Sequence, residues 1–232
     1  VIATPENAHE ITIPTQCGAC ETELINEGTR LYCPNENCPN RKYHRIVKWI
    51  KKLDVKHFSE KLMLSNLFET RRVKTIADLY TLTPSDLTRF EGVQDKSAKR
   101  ALDNLFKVKK ISLQKFIAGF DIENIGERMV KKVVDAGFDS LESIKNATIH
   151  DLTSVEGFAE ISAKALLKGI KDLYPEMKKL LDTGKVSIAK PITEGRLKGL
   201  TFCFTGKLNT MTRSEAHDLV VQHGGEPKNS VV

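Results

Sequence analysis

The sequence predicts a mainly α chain with a small metal-binding element near its start and a partial α/β segment at its end. Three observations predict this. The stretch Asp86 to Leu105, DLTRFEGVQDKSAKRALDNL, returns 65 residues later as Asp151 to Ile170, with nine of twenty positions identical. Such a repeat marks a duplicated structural unit, and each copy feeds a helix-like run. Four cysteines, Cys17, Cys20, Cys33 and Cys38, form C-x2-C-x12-C-x4-C. Last, Leu200 to Phe204 alternates as a strand, Thr205-Gly206 turns, and Thr212 with Glu215 caps a helix that ends at Gly224-Gly225.

Size and composition bound the rest. A chain of 232 residues with 40% hydrophobic residues holds one to two domains, or several small ones. Aromatics are only 6%, so the cores are aliphatic and helical. No apolar run reaches the ~18 residues of a membrane span. The N-terminus has neither the basic nor the apolar region of a signal peptide. It lacks an initiator Met and reads as cut from a longer chain. The net charge of +6 is uneven. Residues 41–61 hold eight bases against Asp54 and Glu60, and residues 96–115 hold seven against Asp103. Clustered positive charge favours a nucleic-acid backbone as partner; solvated helix faces are the other reading.

Residues 1–16 read as an extended tail. The cysteine spacing over 17–41 has the form of a tetrahedral thiolate zinc site, with Gly18, Pro34 and Pro39 in or beside the knuckles. Five cysteines without a secretory signal argue against two disulfides. Four thiolates leave no open ligand position, so the role of Zn2+ is structural. His44 is a rival ligand by proximity but falls at the start of the next helix. That helix, Tyr43 to Leu53, places Trp49 with Ile46, Ile50 and Leu53 on an apolar side, for core packing rather than base stacking. Helices are expected at Phe58 to Phe68 and Ile76 to Tyr80. Thr83 caps another, with Pro84 at its first position and Asp86 completing a capping box, and Thr148 with Asp151 repeats the box. Tyr174 to Leu181 is a closing helix ended by Gly184, and 185–196 a linker.

The repeat runs further back. Asp54 to Lys61 matches Asp121 to Arg128, so residues 42–184 contain two units, about 44–109 and 110–173, each with two helix–turn–helix elements. The pattern in Phe90-Glu91-Gly92-Val93 to Ala98 resembles the helix-hairpin-helix motif. That resemblance implies sequence-independent contact with a nucleic-acid backbone. Its physics is plain: a hairpin Gly admits positive φ, backbone amides reach a phosphate, and a helix presents its positive end. The second element carries Gly92, with Lys96, Lys99 and Arg100 following. The third carries Asn124 and Gly126, with Arg128, Lys131 and Lys132. The fourth carries Gly157, with Lys164 and Lys168. The first has His57 and Ser59 where Gly is preferred and reads as a packing element. The second and third fit a phosphate best.

Residues 197–232 resemble the first third of a BRCT domain, and Thr205 and Gly206 match that family's phosphate pocket. About 35 residues cannot close a core alone. Cys203 is a buried strand residue. Zinc finger, four hairpin elements and BRCT start, in this order, resemble the C-terminal portion of bacterial NAD-dependent DNA ligase. The tail 1–16 is then the end of an OB-fold domain. The resemblance implies adenylation from NAD, with Mg2+, by a Lys in a K-x-D-G motif. No K-x-D-G occurs here, so this portion alone is expected to be inactive. It implies a monomer that grips nicked duplex DNA without sequence preference, in a bacterial cytoplasm at the nucleoid. A non-catalytic DNA-repair scaffold, or the DNA-binding part of another DNA-processing enzyme, are the alternatives.

Overall fold

A computed structural model describes residues 13–189 and 195–228. Residues 1–12, most of the expected N-terminal tail, lie outside them, as do residues 190–194 and 229–232. The chain begins with a loop module holding a two-residue antiparallel pair, β1 (Ile25–Asn26) and β2 (Leu31–Tyr32). Helix α1 (Pro39–Lys52) follows directly, with Cys38 at its N-cap. It starts four residues before the expected Tyr43. Pro39 at the first helical position supplies the preset φ that starts it there. The last cysteine of the cluster is therefore welded to the first helix of the domain.

The expected helix from Phe58 to Phe68 is two pieces. Glu60–Leu64 winds as a wider π turn, then α2 (Ser65–Glu69) resumes regular pitch. Ser59 explains the break: its carbonyl accepts from both Met63 and Leu64, and its hydroxyl accepts from the Leu62 amide. Short helices α3 (Ile76–Leu79) and α4 (Pro84–Leu87) lead to α5 (Asp95–Lys107). Strand β3 (Lys110–Ser112) opens the second unit, followed by α6 (Leu113–Gly119), α7 (Glu127–Asp135), α8 (Leu141–Asn146) and α9 (Ile149–Thr153).

Helix α10 (Glu160–Asp182) then runs unbroken for 23 residues. A separate closing helix at Tyr174 is thus corrected: Pro175 lies inside α10. Proline removes one helical N–H, but Ala163, Leu166, Ile170, Leu173, Met177 and Leu180 form one buried stripe that holds the helix together. The helix ends where Gly184 takes φ +65°. Strand β4 (Ser187–Ala189) pairs in parallel with β3, within the range expected as linker. Last come β5 (Thr201–Cys203), α11 (Arg213–Gln222) and β6 (Glu226–Lys228), with β5 and β6 parallel. Cys203 is half-buried in β5.

One continuous apolar core runs from Ile46 to Val186 across both repeat units. Trp49 sits at its centre, fully buried, edge-on to Phe116 and Phe120, with its indole N–H donating to the Tyr80 hydroxyl at 3.1 Å. Gly119 is obligatory beneath it, since a Cβ there would lie 2.6 Å from the indole ring. The C-terminal segment stays outside this core. Among its described residues only Ala216 and Val220 are buried hydrophobics. It meets the helical body through Lys107–Glu215 at 3.0 Å and Lys115–Asp218 at 3.3 Å. Exposed pairs of this kind stabilise by about 0–1 kcal/mol each.

The capping boxes at Thr83 and Thr148 form as expected. At the first, Asp86 accepts from the Thr83 amide at 2.8 Å and from Nε and one terminal nitrogen of Arg72, at 2.7 and 3.0 Å. The Arg72 guanidinium, then the Thr83 donors, hold its carboxyl well below the usual carboxylate range. A depressed carboxylate stabilises the fold above its unfolded pKa and loses that contribution as pH falls. Asp86→Asn is therefore expected to destabilise the protein by about 1–3 kcal/mol at neutral pH. The gap between parent and variant should shrink below about pH 4, as read by denaturant unfolding across pH.

Candidate metal centre and nucleic-acid interface

The four cysteines converge. Their sulfurs all lie within 4.8 Å of one another, with Cys17 to Cys38 at 3.7 Å and Cys20 to Cys33 at 3.5 Å. None is in a disulfide. A tetrahedron with metal–sulfur bonds of roughly 2.3 Å spaces its sulfurs about 3.8 Å apart, so the cluster fits one metal ion. The Thr22 hydroxyl and amide draw the Cys20 thiol down to about 6, while desolvation pushes Cys33 up to about 12. Sulfurs this close cannot all ionise unless a cation stands between them. His44 is exposed on α1 and takes no part.

The module docks through charge. Glu36, next to the cluster, binds Arg41 and the buried Arg45, each at 2.9 Å. Arg30 reaches Glu123 of the third hairpin at 2.5 Å. Lys52 of α1 holds Glu127 of the same hairpin at 2.8 Å. The acids flanking this hairpin are thus neutralised by the module and by α1.

All four hairpins share one backbone geometry. Three residues before each helix, or π turn, the chain enters the left-handed region: His57 at φ +63°, Gly92 at +79°, Asn124 at +62° and Gly157 at +70°. The cap residues that follow, Ser59, Gln94, Gly126 and Ala159, are all extended, with φ from −96° to −66°. Extended backbone suits any residue, so the turn itself does not require a glycine at this second position. The apolar brackets Val55/Phe58, Ile122/Ile125 and Val155/Phe158 are buried, as is Val93 opposite half-buried Phe90. The first hairpin departs in two respects: it leads into a π turn, and it lacks a turn bond the others have. The turn bonds from Val93 to Phe90, Ile125 to Ile122 and Phe158 to Val155 have no counterpart there. His57 nonetheless takes the same left-handed turn as the residues at the other three hairpins. A cavity of about 420 Å³ between the first two hairpins is lined by His57, Ser59, Gly92, Lys96, Ser97 and Arg100, among others.

The cations divide into two groups. Among the described residues Lys96, Lys99, Arg100 and Arg128 are exposed and pair with no carboxylate. Lys131, Lys164 and Lys168 pair within their helices with Asp135, Glu160 and Asp172. Lys132 has a structural contact: its ammonium lies 3.3 Å from the Glu156 carbonyl, against Gly157. It joins the third hairpin to the fourth. Thr205 and Gly206 are exposed in the turn after β5, where Gly206 takes φ +86° and its carbonyl accepts from Arg213 at 3.2 Å. Sequence reasoning missed the docking roles of Arg30 and Arg45, which leave no periodic signal. Gly157→Ala faces both positive φ and a 2.4 Å approach to the Lys132 ammonium. It is expected to cost about 1–2 kcal/mol, whereas His57→Gly should be neutral or stabilising by about 1 kcal/mol; thermal unfolding of both variants checks the pair.

Comparison with known proteins agrees with this geometry. The family described as the SAM-like helix-hairpin-helix tandem matches residues 120–172, the third and fourth hairpins. A DNA ligase of Treponema denticola is 46% identical over 231 residues, covering 98% of this chain and 36% of that protein. A DNA ligase of Treponema pallidum is 45% identical over all of this chain and 28% of that protein. One from Clostridium tetani is 32% identical over 97% of this chain and 35% of its own length. The chain thus spans about a third of the length of the curated relatives it matches. Matched over 97–100% of its length to about a third of each of these proteins, and carrying convergent thiolates and a helix-hairpin-helix tandem, the chain fits a C-terminal fragment of a bacterial DNA ligase.

Proposed function

We propose that this chain is the C-terminal, DNA-gripping portion of an NAD-dependent DNA ligase that seals nicks in duplex DNA. The observation that carries the reading is the fourfold hairpin geometry. Each hairpin turns through one left-handed residue into a helix N-terminus, whose first amides have no intrahelical partner. Such amides bind phosphate oxygens without reference to base identity. Sequence-independent grip suits an enzyme whose substrate is a break in any sequence. The free cations Lys96, Lys99, Arg100 and Arg128 neutralise neighbouring phosphates. Gly92, Asn124, Gly126, Gly157, Lys131 and Lys164 complete the interface, with the in-helix partners of Lys131 and Lys164 yielding to DNA.

The metal in this reading is Zn2+. It fixes Cys17, Cys20, Cys33 and Cys38, and through Cys38 the start of α1. Adenylation from NAD, assisted by Mg2+, belongs to the rest of the ligase. This portion acts by holding the nick in register with that chemistry, as a monomer in the bacterial cytoplasm. Residues 197–232 are the start of a BRCT domain, with Thr205 and Gly206 as its phosphate contact. No helix among the described residues is long and apolar enough to cross a membrane.

Two measurements test the proposal. Elemental analysis should return one zinc per chain, and Cys33→Ser should lose it, lowering thermal stability together with metal content; a metal-free, stable parent would sink the zinc assignment. Titration of the chain with nicked duplexes of unrelated sequence should give similar affinities that fall steeply with salt. Lys96→Ala should weaken binding to all of them and reduce the slope of log K against log salt by about one. Strong preference for one sequence would count against the reading.

A further inference from the structure

The four hairpin helices follow one rule at their starts, and the fourth breaks it. The first position is acidic in every case: Glu60, Asp95, Glu127 and Glu160. The second is an exposed cation in three, Lys61, Lys96 and Arg128. In the fourth it is Ile161, which is 79% exposed, the highest value of any large hydrophobic residue among those described. Ile161 does not serve the core. The buried stripe of α10 starts at Ala163 and Leu166, on another side of the helix. Helical spacing instead aligns Ile161 with Lys164 and Lys168, both exposed, so an apolar tip heads a row of cations. Gly157, four residues upstream, carries the left-handed turn that brings this helix start to the surface.

We infer that Ile161 enters the minor groove of duplex DNA beside the fourth hairpin, packing on deoxyribose and base-step edges while Lys164 and Lys168 meet the flanking phosphates. The inference rests on the proposed DNA grip and adds a different kind of contact to it. An apolar side chain at a position where its three equivalents carry phosphate-seeking charge gains by leaving water only if its partner surface is apolar. The sugar faces and base edges of the minor groove are that surface, and apolar wedges are used there to open base steps. The fourth hairpin thereby reads groove shape and ease of unstacking, where the other three read charge. A nick, whose base step is freer to open than intact duplex, is where such a residue gains most.

The test uses the zinc-loaded 232-residue chain, nicked and intact duplexes, and the variants Ile161→Ala and Lys96→Ala. Binding is read by fluorescence anisotropy over a range of salt, with 2-aminopurine at the nick reporting unstacking. Ile161 is exposed, so Ile161→Ala should unfold at the parent's temperature. It should bind the nicked duplex about five- to tenfold more weakly at every salt concentration, with an unchanged salt slope and a diminished 2-aminopurine signal. Lys96→Ala should instead reduce the slope by about one. If Ile161→Ala binds within about twofold of the parent while Lys96→Ala is weakened, the wedge falls and the DNA grip stands. If the parent binds neither duplex, both fall.

Discussion

Arg45 is the interaction on which the arrangement depends. It is 3% exposed and stands where three parts of the molecule meet. Its Nε donates to the Phe120 carbonyl at 2.9 Å, one terminal nitrogen binds Glu36 at 2.9 Å, and the other lies 3.8 Å from Glu176. Phe120 closes the helix that enters the third hairpin, Glu36 belongs to the thiolate module, and Glu176 lies on α10. A buried guanidinium tolerates this only with its donors satisfied, since an uncompensated buried charge is strongly destabilising. The planar fork also fixes directions, so the module, the third hairpin and the long helix can take one relative placement.

That placement explains how two weakly constructed parts become one body. Among its described residues the thiolate module has one two-residue strand pair, an isolated bridge from Gln16 to Glu23, and buried side chains only at Cys17 and Cys38. Its order comes from its convergent sulfurs, from Cys38 capping α1, from Arg30 reaching Glu123, and from Glu36 receiving Arg41 and Arg45 of α1. The helical domain in turn is made of short helices, several of only four to six residues, that cannot persist alone. Their stability comes from the shared apolar core with Trp49 at its centre and from the capping boxes that start α3, α4, α5, α8 and α9. Rigid short helices joined by tight turns then hold the hairpin amides at fixed positions.

Much of this was legible in the sequence. The cysteine spacing located the metal centre because a tetrahedral site leaves little freedom in spacing. The repeat located the four hairpins because each needs two apolar brackets around a left-handed residue. Thr83, Pro84 and Asp86 announced a helix start by local chemistry alone. What was not legible is tertiary. Nothing local says that α10 passes through Pro175, because that depends on a stripe buried by distant elements. The pairing of Lys110–Ser112 with Ser187–Ala189 is non-local and only three residues long. Glycine is the usual signal for positive φ, so the left-handed turn at His57, held between buried Val55 and Phe58, leaves no mark in the sequence.

The short β3–β4 pair has a geometric consequence for the C-terminal segment. Pinning Ser187 to Ala189 against the second unit means that the leash to Gly195 starts at Ala189, not at the end of α10. Six residue steps extend to about 21 Å at most. The two ion pairs from α11 to the helical body can open without the segment leaving its neighbourhood. Its effective local concentration therefore stays high, and weak contacts suffice to bring it back. Three residues of strand thereby set how far the C-terminal segment can stand from the helical domain.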